Sequence, residues 1–218
     1  EIAQCLVGSE MCIRDRELGP LDEFTIHGLW PDKCDGGYEQ FCDNSRSIDD
    51  VYHLLNLEQF NNPENGLEIS GKDLLTELHR LWKSNNGNDE SLWIHEYNKH
   101  GTCIKTIRPK CYENWKSKAQ KPDLDLNKQS VYDYFRTAYN LYKKLNTSAI
   151  LKAHGIRPTT PATYTREEIA SALSVGFDGH SVFFACDRHN AINEIWYYHL
   201  LKGSLLGEEF TSIDSIYR

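Results

Sequence analysis

The chain has 218 residues, a mass of 25.2 kDa and a formal net charge of −8 at pH 7, with 39% hydrophobic and 26% charged residues. This composition, without a run of about 18 apolar residues, excludes a membrane-spanning helix, a collagen-like chain, a coiled coil and wholesale disorder. Proteins that coat phosphate backbones are usually basic, so the acidic balance also excludes a general DNA-coating protein, though not nucleic-acid binding at a small, locally positive site.

The first segment, 1–17, shows neither helical nor strand periodicity. Strand and helix patterns follow it along the rest of the chain. In chain order they are a strand pattern over 24–31, helix patterns over 47–59, 70–83 and 92–101, a loop-like stretch over 108–126, helix patterns over 130–145 and 165–175, and strand patterns over 181–186 and 192–201. Ser70 and Thr165 stand where helix N-caps are expected, each with an acidic residue three positions later. Helices in the middle and strands at the ends predict an α+β fold with a mainly antiparallel sheet.

Cysteine content and one tripeptide bear on the compartment. The seven cysteines are Cys5, Cys12, Cys34, Cys42, Cys103, Cys111 and Cys186. None forms a C-x-x-C pair, which argues against a zinc ribbon or a thioredoxin-type motif, and so many cysteines are typical of an oxidising compartment. Asn146 opens an Asn-Thr-Ser acceptor pattern for N-glycosylation. We therefore expect a secreted protein or one in the vacuolar or lysosomal lumen, although no signal peptide is recognisable over 1–16.

The segment 93–103, WIHEYNKHGTC, carries the first of two histidine clusters. Zinc helices use H-E-x-x-H, whereas His95 and His100 are five apart and lie roughly 140° from each other around a helix. Glu96 and His100 share a face, and Lys99 projects near His95. An imidazole, a carboxylate and an ammonium on one helix suit proton transfer and anion stabilisation better than metal binding.

The segment 26–32, IHGLWPD, adds a third imidazole at His27, beside an aromatic residue and a carboxylate. Phosphodiester transfer without a metal needs one imidazole to take the proton of an attacking hydroxyl and another to protonate the leaving oxygen. Histidine can do either near neutral or mildly acidic pH.

HGLWP at 27–31 and HEYNKHGTC at 95–103 closely resemble the two active-site segments of the T2 ribonucleases, in particular those of fungal, yeast type. The resemblance implies an α+β fold in which a mainly antiparallel sheet packs with several helices. Because 1–17 lacks the family's first-strand pattern, we expect that strand to be missing or replaced. We hypothesise that 1–17 is an atypical segment, not native to the protein, and that 18–218 forms one catalytic domain.

The activity implied by the resemblance is acid-active, metal-independent endonucleolytic cleavage of single-stranded RNA, through a 2′,3′-cyclic phosphate, with low base specificity and no cofactor. His100 would be the general base on the ribose 2′-OH and His27 the general acid on the 5′-oxygen. Glu96 and Lys99 would stabilise the pentacoordinate phosphate, and His95 would bind it.

The resemblance also implies a base-binding group, in which Trp30 and Tyr38 stack a base and Asp32 accepts from an exocyclic amino group. The partner would be RNA and not DNA, because the nucleophile is the 2′-OH. No membrane partner is expected, and the chain would act as a monomer.

The resemblance implies a Cys42–Cys103 disulfide, because both members are present. The other cysteines and one aromatic residue depart from the family pattern. The usual partners of Cys34, Cys111 and Cys186 are not recognisable, and Tyr97 stands where tryptophan is common.

Two other functions remain open from the sequence. One is a zinc hydrolase that uses His27, His95 and His100, against which the spacing argues. The other is a non-catalytic RNA-binding relative, against which the complete set of histidine, glutamate and lysine residues argues.

Overall fold

A computed structural model describes residues 2–6, 19–20, 22–33, 35–62, 66–114, 125–158, 163–188 and 190–216; at 2–6 and 113–114 the description covers the backbone. Its strands are β1 Ile2–Leu6, β2 Phe24–Leu29, β3 Phe183–Cys186, β4 Ile192–Leu201 and β5 Phe210–Ile213. Its α-helices are α1 Val51–Leu55, α2 Gly71–Leu81, α3 Asp89–Lys99, α4 Leu126–Leu145, α5 Thr147–Ala153 and α6 Arg166–Gly176.

The described strands form one antiparallel sheet in the order β2-β1-β4-β3, and β5 pairs with the far half of β4. In the near half of β4, Trp196 faces Ala3 of β1 on one side and Phe183 of β3 on the other. The predicted α+β class with an antiparallel sheet is confirmed.

The position expected to lack a first strand is occupied. Ile2–Leu6 forms β1 between β2 and β4, so the strand is not missing, and the absence of periodicity over 1–17 did not exclude it. A strand with a neighbour on each side is held by backbone hydrogen bonds to both, and it needs no clean polar–apolar alternation. The origin of 1–17 and the domain boundary at residue 18 stay predictions.

Capping explains where the helices begin. Ser70 accepts from the backbone N–H of Asp73, and Thr165 forms a complete capping box with Glu168, as predicted. Asn88 caps α3, which therefore starts three residues before the predicted bound.

The predicted helix over 47–59 is wrong in extent. Its α-helical part is α1, which Asp50 caps, and 3₁₀ turns at Asn44–Arg46 and Glu58–Phe60 flank it. The stretch 108–126, predicted as a loop, contains the 3₁₀ helix Pro109–Asn114 and the capped start of α4. Helix α5 and strand β5 were not predicted.

Helix α4 carries the centre of the core beside β2 and α3. Tyr134 and Phe135 are buried, and they pack with Trp82 and Tyr97. The Tyr134 hydroxyl donates to the carbonyl of Leu29 at 3.1 Å and lies 3.4 Å from that of Glu96. One buried phenol thus connects the end of β2 to α3. Within the described ranges, none of the helices combines the length and the apolar composition that a membrane span requires.

Candidate active site

The two histidine-containing segments meet where β2 ends against α3. His27 Nε2 on β2 lies 3.9 Å from Glu96 Oε1 on α3. Trp30, just after β2, donates its indole N–H to Glu96 Oε2 at 2.7 Å. These contacts bring together residues that lie in separate parts of the sequence.

Trp30 lies between two imidazoles. Its ring centroid is 4.9 Å from that of His27, edge-on, and 5.2 Å from that of His100, tilted by 31°. His27, Trp30, Glu96 and His100 are called the active-site cluster below. Its two imidazoles contact the same indole.

The end of α3 sets the position of His100. The His100 N–H donates to the carbonyl of Glu96 at 2.9 Å, and the chain then enters a 3₁₀ turn over Gly101–Cys103. A Cβ at Gly101 would come within 2.6 Å of the Tyr97 ring. A larger residue there would push the turn away from the core and move His100 with it.

Gly28 leaves room for the cluster on the β2 side. A Cβ at this position would overlap both the Glu96 carboxylate and the indole nitrogen of Trp30. The close approach of β2 to Glu96 therefore requires glycine.

Burial raises the pKa of Glu96 to about 7, and the Trp30 hydrogen bond and the Lys99 charge oppose the rise only in part. The residue is 2% exposed. At mildly acidic pH its carboxyl is therefore mostly neutral and can donate a proton in a hydrogen bond.

Burial lowers the pKa of His100 to about 3, with the charges of Lys99, His95 and His27 acting in the same direction. Its Nδ1 is buried and has no hydrogen-bond partner among the residues that the structure describes. Burial, then Lys99 and His95, lower the pKa of His27 as well, and burial and Lys99 lower that of His95. The site thus favours neutral imidazoles and a neutral carboxyl beside one lysine, an arrangement that attracts an anion.

His95 lies on the exposed side of α3. Its ring packs edge-on against Phe41, with centroids 6.1 Å apart, and the charge of Lys99 acts on it. The helical geometry predicted from the sequence is therefore observed: Glu96 and His100 face Trp30, while His95 and Lys99 form a second, more exposed pair.

The residues predicted to bind a base are not all in the cluster. Trp30 is half-buried inside it, Asp32 is partly buried on the following segment, and Tyr38 is 62% exposed on the loop beyond. Within the part of the chain that the structure describes, neither Asp32 nor Tyr38 has a hydrogen bond or ring contact with the cluster. Their roles stay predictions.

The predicted disulfide is confirmed: Cys42 and Cys103 are bonded. Cys111 and Cys186 are free among the described residues, whereas Cys12, Cys34 and the side chain of Cys5 lie outside them. Asn146, the predicted glycosylation site, is exposed, and its side chain caps α5 by accepting from the N–H of Ala149. Its modification stays a prediction.

Several residues with positioning contacts were missed by the sequence analysis. Trp196 of β4 packs edge-on against Trp30 at 5.6 Å. Buried Arg46 donates to the carbonyl of Thr102 at 3.1 Å, and the Asn98 amide makes two hydrogen bonds to the backbone of Ile48. Each contact spans about 50 residues or more, so no local pattern could have indicated it.

The described residues contain no group of three or more histidine, cysteine, aspartate or glutamate side chains that could hold a metal ion. The histidines proposed for a zinc site, His27, His95 and His100, are divided between the cluster and the exposed pair.

Comparisons with known proteins agree on one family. Residues 2–213 match the sequence model of the Ribonuclease T2 family. A Ribonuclease T2-like protein of Saccharomyces cerevisiae is 57% identical over 201 residues, which cover 92% of this chain and 45% of the relative. A Ribonuclease T2-like protein of Kluyveromyces lactis is 54% identical, covering 92% of this chain and 46% of the relative. The chain thus spans about half the length of these curated relatives.

A solved structure shares the fold along almost the whole chain. The crystal structure of Actibind, described as a T2 ribonuclease, superposes with a TM-score of 0.77 at 34% identity and covers 98% of this chain and 78% of its own.

Proposed function

The chain belongs to the ribonuclease T2 family, and on that basis we propose that it is an endoribonuclease. It cleaves single-stranded RNA by transphosphorylation through a 2′,3′-cyclic phosphate, without a metal and with low base specificity. The observation that carries the proposal is the contact of the His27 and His100 imidazoles with the same Trp30 indole, beside the buried carboxyl of Glu96.

In the first step, His100 takes the proton of the ribose 2′-OH. Its lowered pKa supports this role, because a base must be unprotonated when substrate arrives. The 2′-oxygen then forms a bond to phosphorus while the bond from phosphorus to the 5′-oxygen breaks. The leaving 5′-oxygen takes a proton from His27.

His27 must be protonated to act as an acid, although burial and Lys99 lower its pKa in the free protein. A bound phosphodiester brings a negative charge close to this imidazole, and a nearby negative charge raises the pKa of a histidine. Substrate binding thus supplies the charge that the protonated form of His27 needs.

The charge that develops on the non-bridging oxygens is stabilised by Lys99 and by the neutral carboxyl of Glu96, which donates a hydrogen bond. His95, on the exposed side of α3, binds the phosphate. Water then opens the cyclic product, and His27 and His100 exchange roles in that second step.

Around the phosphate, Trp30 and Tyr38 stack a base and Asp32 accepts from its exocyclic amino group. Low base specificity follows if base stacking contributes more binding free energy than this one hydrogen bond. DNA can bind but is not cleaved, because it lacks the 2′-OH nucleophile. We further propose a monomer without a membrane partner, N-glycosylated at Asn146 and located outside the cell or in a vacuolar or lysosomal lumen.

The test is incubation with a single-stranded RNA oligonucleotide at about pH 5 in EDTA, followed by analysis of the product ends. We expect 2′,3′-cyclic phosphates, and no cleavage at a single 2′-deoxy position in an otherwise identical strand. His27→Ala and His100→Ala should each lose about 10²- to 10⁴-fold in rate. His53→Ala, which changes an exposed histidine on α1, is the matched control and should cleave normally.

Other outcomes identify the alternatives. Loss of activity in EDTA and recovery with zinc would support a zinc hydrolase instead. RNA binding without cleavage by the unmodified protein would support a non-catalytic relative. Cleavage at the 2′-deoxy position would contradict the proposed mechanism.

A further inference from the structure

Phe41 has a backbone conformation that residues with side chains seldom adopt. It lies on the loop after β2 with a φ of 50°, in the left-handed region, and its side chain is 49% exposed. Such a conformation is uncommon for a bulky residue and costs free energy.

The backbone contacts explain the conformation but not the side chain. The Phe41 N–H donates to the carbonyl of Lys99 at 2.9 Å, and the next N–H, of Cys42, donates to Thr102 Oγ1 at 3.1 Å. The Cys42–Cys103 disulfide holds the same loop to the turn after α3. Glycine would make these contacts with less strain, so they give no reason for an aromatic ring at this position.

The ring of Phe41 stands at the rim of the proposed active site. Its edge-on neighbour is His95, at 6.1 Å between centroids, and the more exposed Tyr38 lies three residues earlier on the same loop. Because the disulfide and two hydrogen bonds fix the backbone, the position from which the ring projects is set before any substrate arrives, which lowers the entropy cost of binding.

We propose that Phe41 is a substrate-binding residue that stacks a nucleobase of the RNA next to the phosphate bound at His95. This inference rests on the proposed function, since it assumes that RNA enters the site. Stacking suits a half-exposed ring because every base presents a π-face, whatever its sequence. Phe41 therefore contributes affinity for the strand and little base preference.

The test measures binding apart from cleavage. A fluorescent 2′-fluoro RNA oligonucleotide lacks the nucleophilic hydroxyl, and its Kd can be followed by anisotropy. Phe41→Gly and Phe41→Leu should weaken binding about 5- to 150-fold, whereas Phe41→Trp should bind as well as the unmodified protein or better. The matched control is Val175→Ala, which removes an exposed apolar side chain from α6 and should leave the Kd unchanged.

Two further measurements separate stacking from other roles. The unfolding temperature of Phe41→Gly should stay the same or rise, because glycine relieves the backbone strain. With cleavable RNA, KM should rise in Phe41→Gly and Phe41→Leu while kcat stays near its original value.

Three results would overturn the inference. A lower kcat with unchanged Kd would mean that Phe41 positions His95 instead. A lower unfolding temperature with a parallel loss of binding would indicate a structural role, and unchanged binding in all variants would leave Phe41 no role in the site. If the unmodified protein binds the 2′-fluoro strand but never cleaves RNA, the proposed function fails while the Kd series still decides on stacking; if it cleaves RNA but does not bind the 2′-fluoro strand, the stacking inference alone is overturned.

Discussion

The indole N–H of Trp30 donates to the Glu96 carboxyl at 2.7 Å, across 66 positions of sequence. Trp30 therefore has a role besides the predicted stacking of a base: it supplies a hydrogen bond to a carboxyl that burial makes difficult to ionise. The same indole contacts both imidazoles, so a change at Trp30 affects every member of the active-site cluster.

Trp30→Phe should raise the pKa of Glu96 further, because the charged carboxylate loses a hydrogen-bond donor. Carboxyl-¹³C NMR of Glu96 across a pH titration measures the value directly. Trp196→Phe is the control, since it changes the other indole of the Trp30–Trp196 contact and leaves the N–H to Glu96 intact. An unchanged Glu96 titration in Trp30→Phe would show that the hydrogen bond does not influence the carboxyl.

Glu96 and His100 should make the free energy of unfolding change with pH in opposite directions. The folded-state pKa of Glu96, about 7, lies above the ordinary 4.5, so its stabilising contribution is complete below pH 4.5 and is lost as pH rises through 7. The pKa of His100, about 3, lies below the ordinary 6.5, so its contribution is complete above pH 6.5 and is lost as pH falls through 3. Between pH 4.5 and 6.5 the two effects oppose each other.

Substitution of either residue should expose the effect of the other. Relative to the unmodified protein, the free energy of unfolding should rise with pH in Glu96→Gln and fall with pH in His100→Asn. Each difference should amount to about 2–3 kcal/mol between pH 4.5 and 6.5. Urea unfolding at three pH values measures it, and each variant is the control for the other. Slopes of the same sign in both variants would contradict the assignment.

Gly28→Ala should reduce cleavage more than it reduces stability. The added methyl group must displace the Glu96 carboxyl or the Trp30 indole, and both belong to the active-site cluster. We expect a fall in kcat of about 10²-fold or more, since small displacements of reacting groups are costly. Gly37→Ala is the control, because its methyl group would meet the side chain of Asp35 on an exposed loop. Normal kcat in Gly28→Ala would mean that the cluster tolerates displacement.

Removal of the Cys42–Cys103 disulfide should cost about 4 kcal/mol of unfolding free energy, because the bond closes a loop between residues 61 positions apart. Urea unfolding of the Cys42→Ala/Cys103→Ala double variant measures the loss. Cys186→Ala, which changes an exposed cysteine that forms no disulfide within the described part of the chain, should stay within about 0.5 kcal/mol. Reducing agent should destabilise the unmodified protein more than the double variant; equal sensitivity of both would contradict this account.

Local signals in the sequence predicted much of the fold. Ser70 and Thr165 were identified as helix caps because a cap depends on residues only three positions away. Helical periodicity likewise placed Glu96 and His100 on one face. These features are set by neighbours in the chain, and the structure confirms them.

Long-range contacts and burial could not be predicted in this way. The Trp30–Glu96 hydrogen bond depends on how β2 meets α3, and the raised pKa of Glu96 depends on how completely the surrounding chain buries it. The local sequence pattern does not predict strand β1, because the place of this strand is fixed by pairing with β2 and β4 rather than by its own residue pattern. The sequence gives no local signal for the left-handed backbone of Phe41, because this conformation arises from contacts with the end of α3.

The position of β1 has a consequence for how the molecule is made. Ile2 pairs locally with Leu29, but its other neighbour is Tyr197. During synthesis, the second edge of the central strand therefore has no partner strand to form hydrogen bonds with until residues around 197 have left the ribosome. Contacts of such long sequence separation slow folding, so the middle of the sheet closes late, and chaperones have the longest opportunity to bind there.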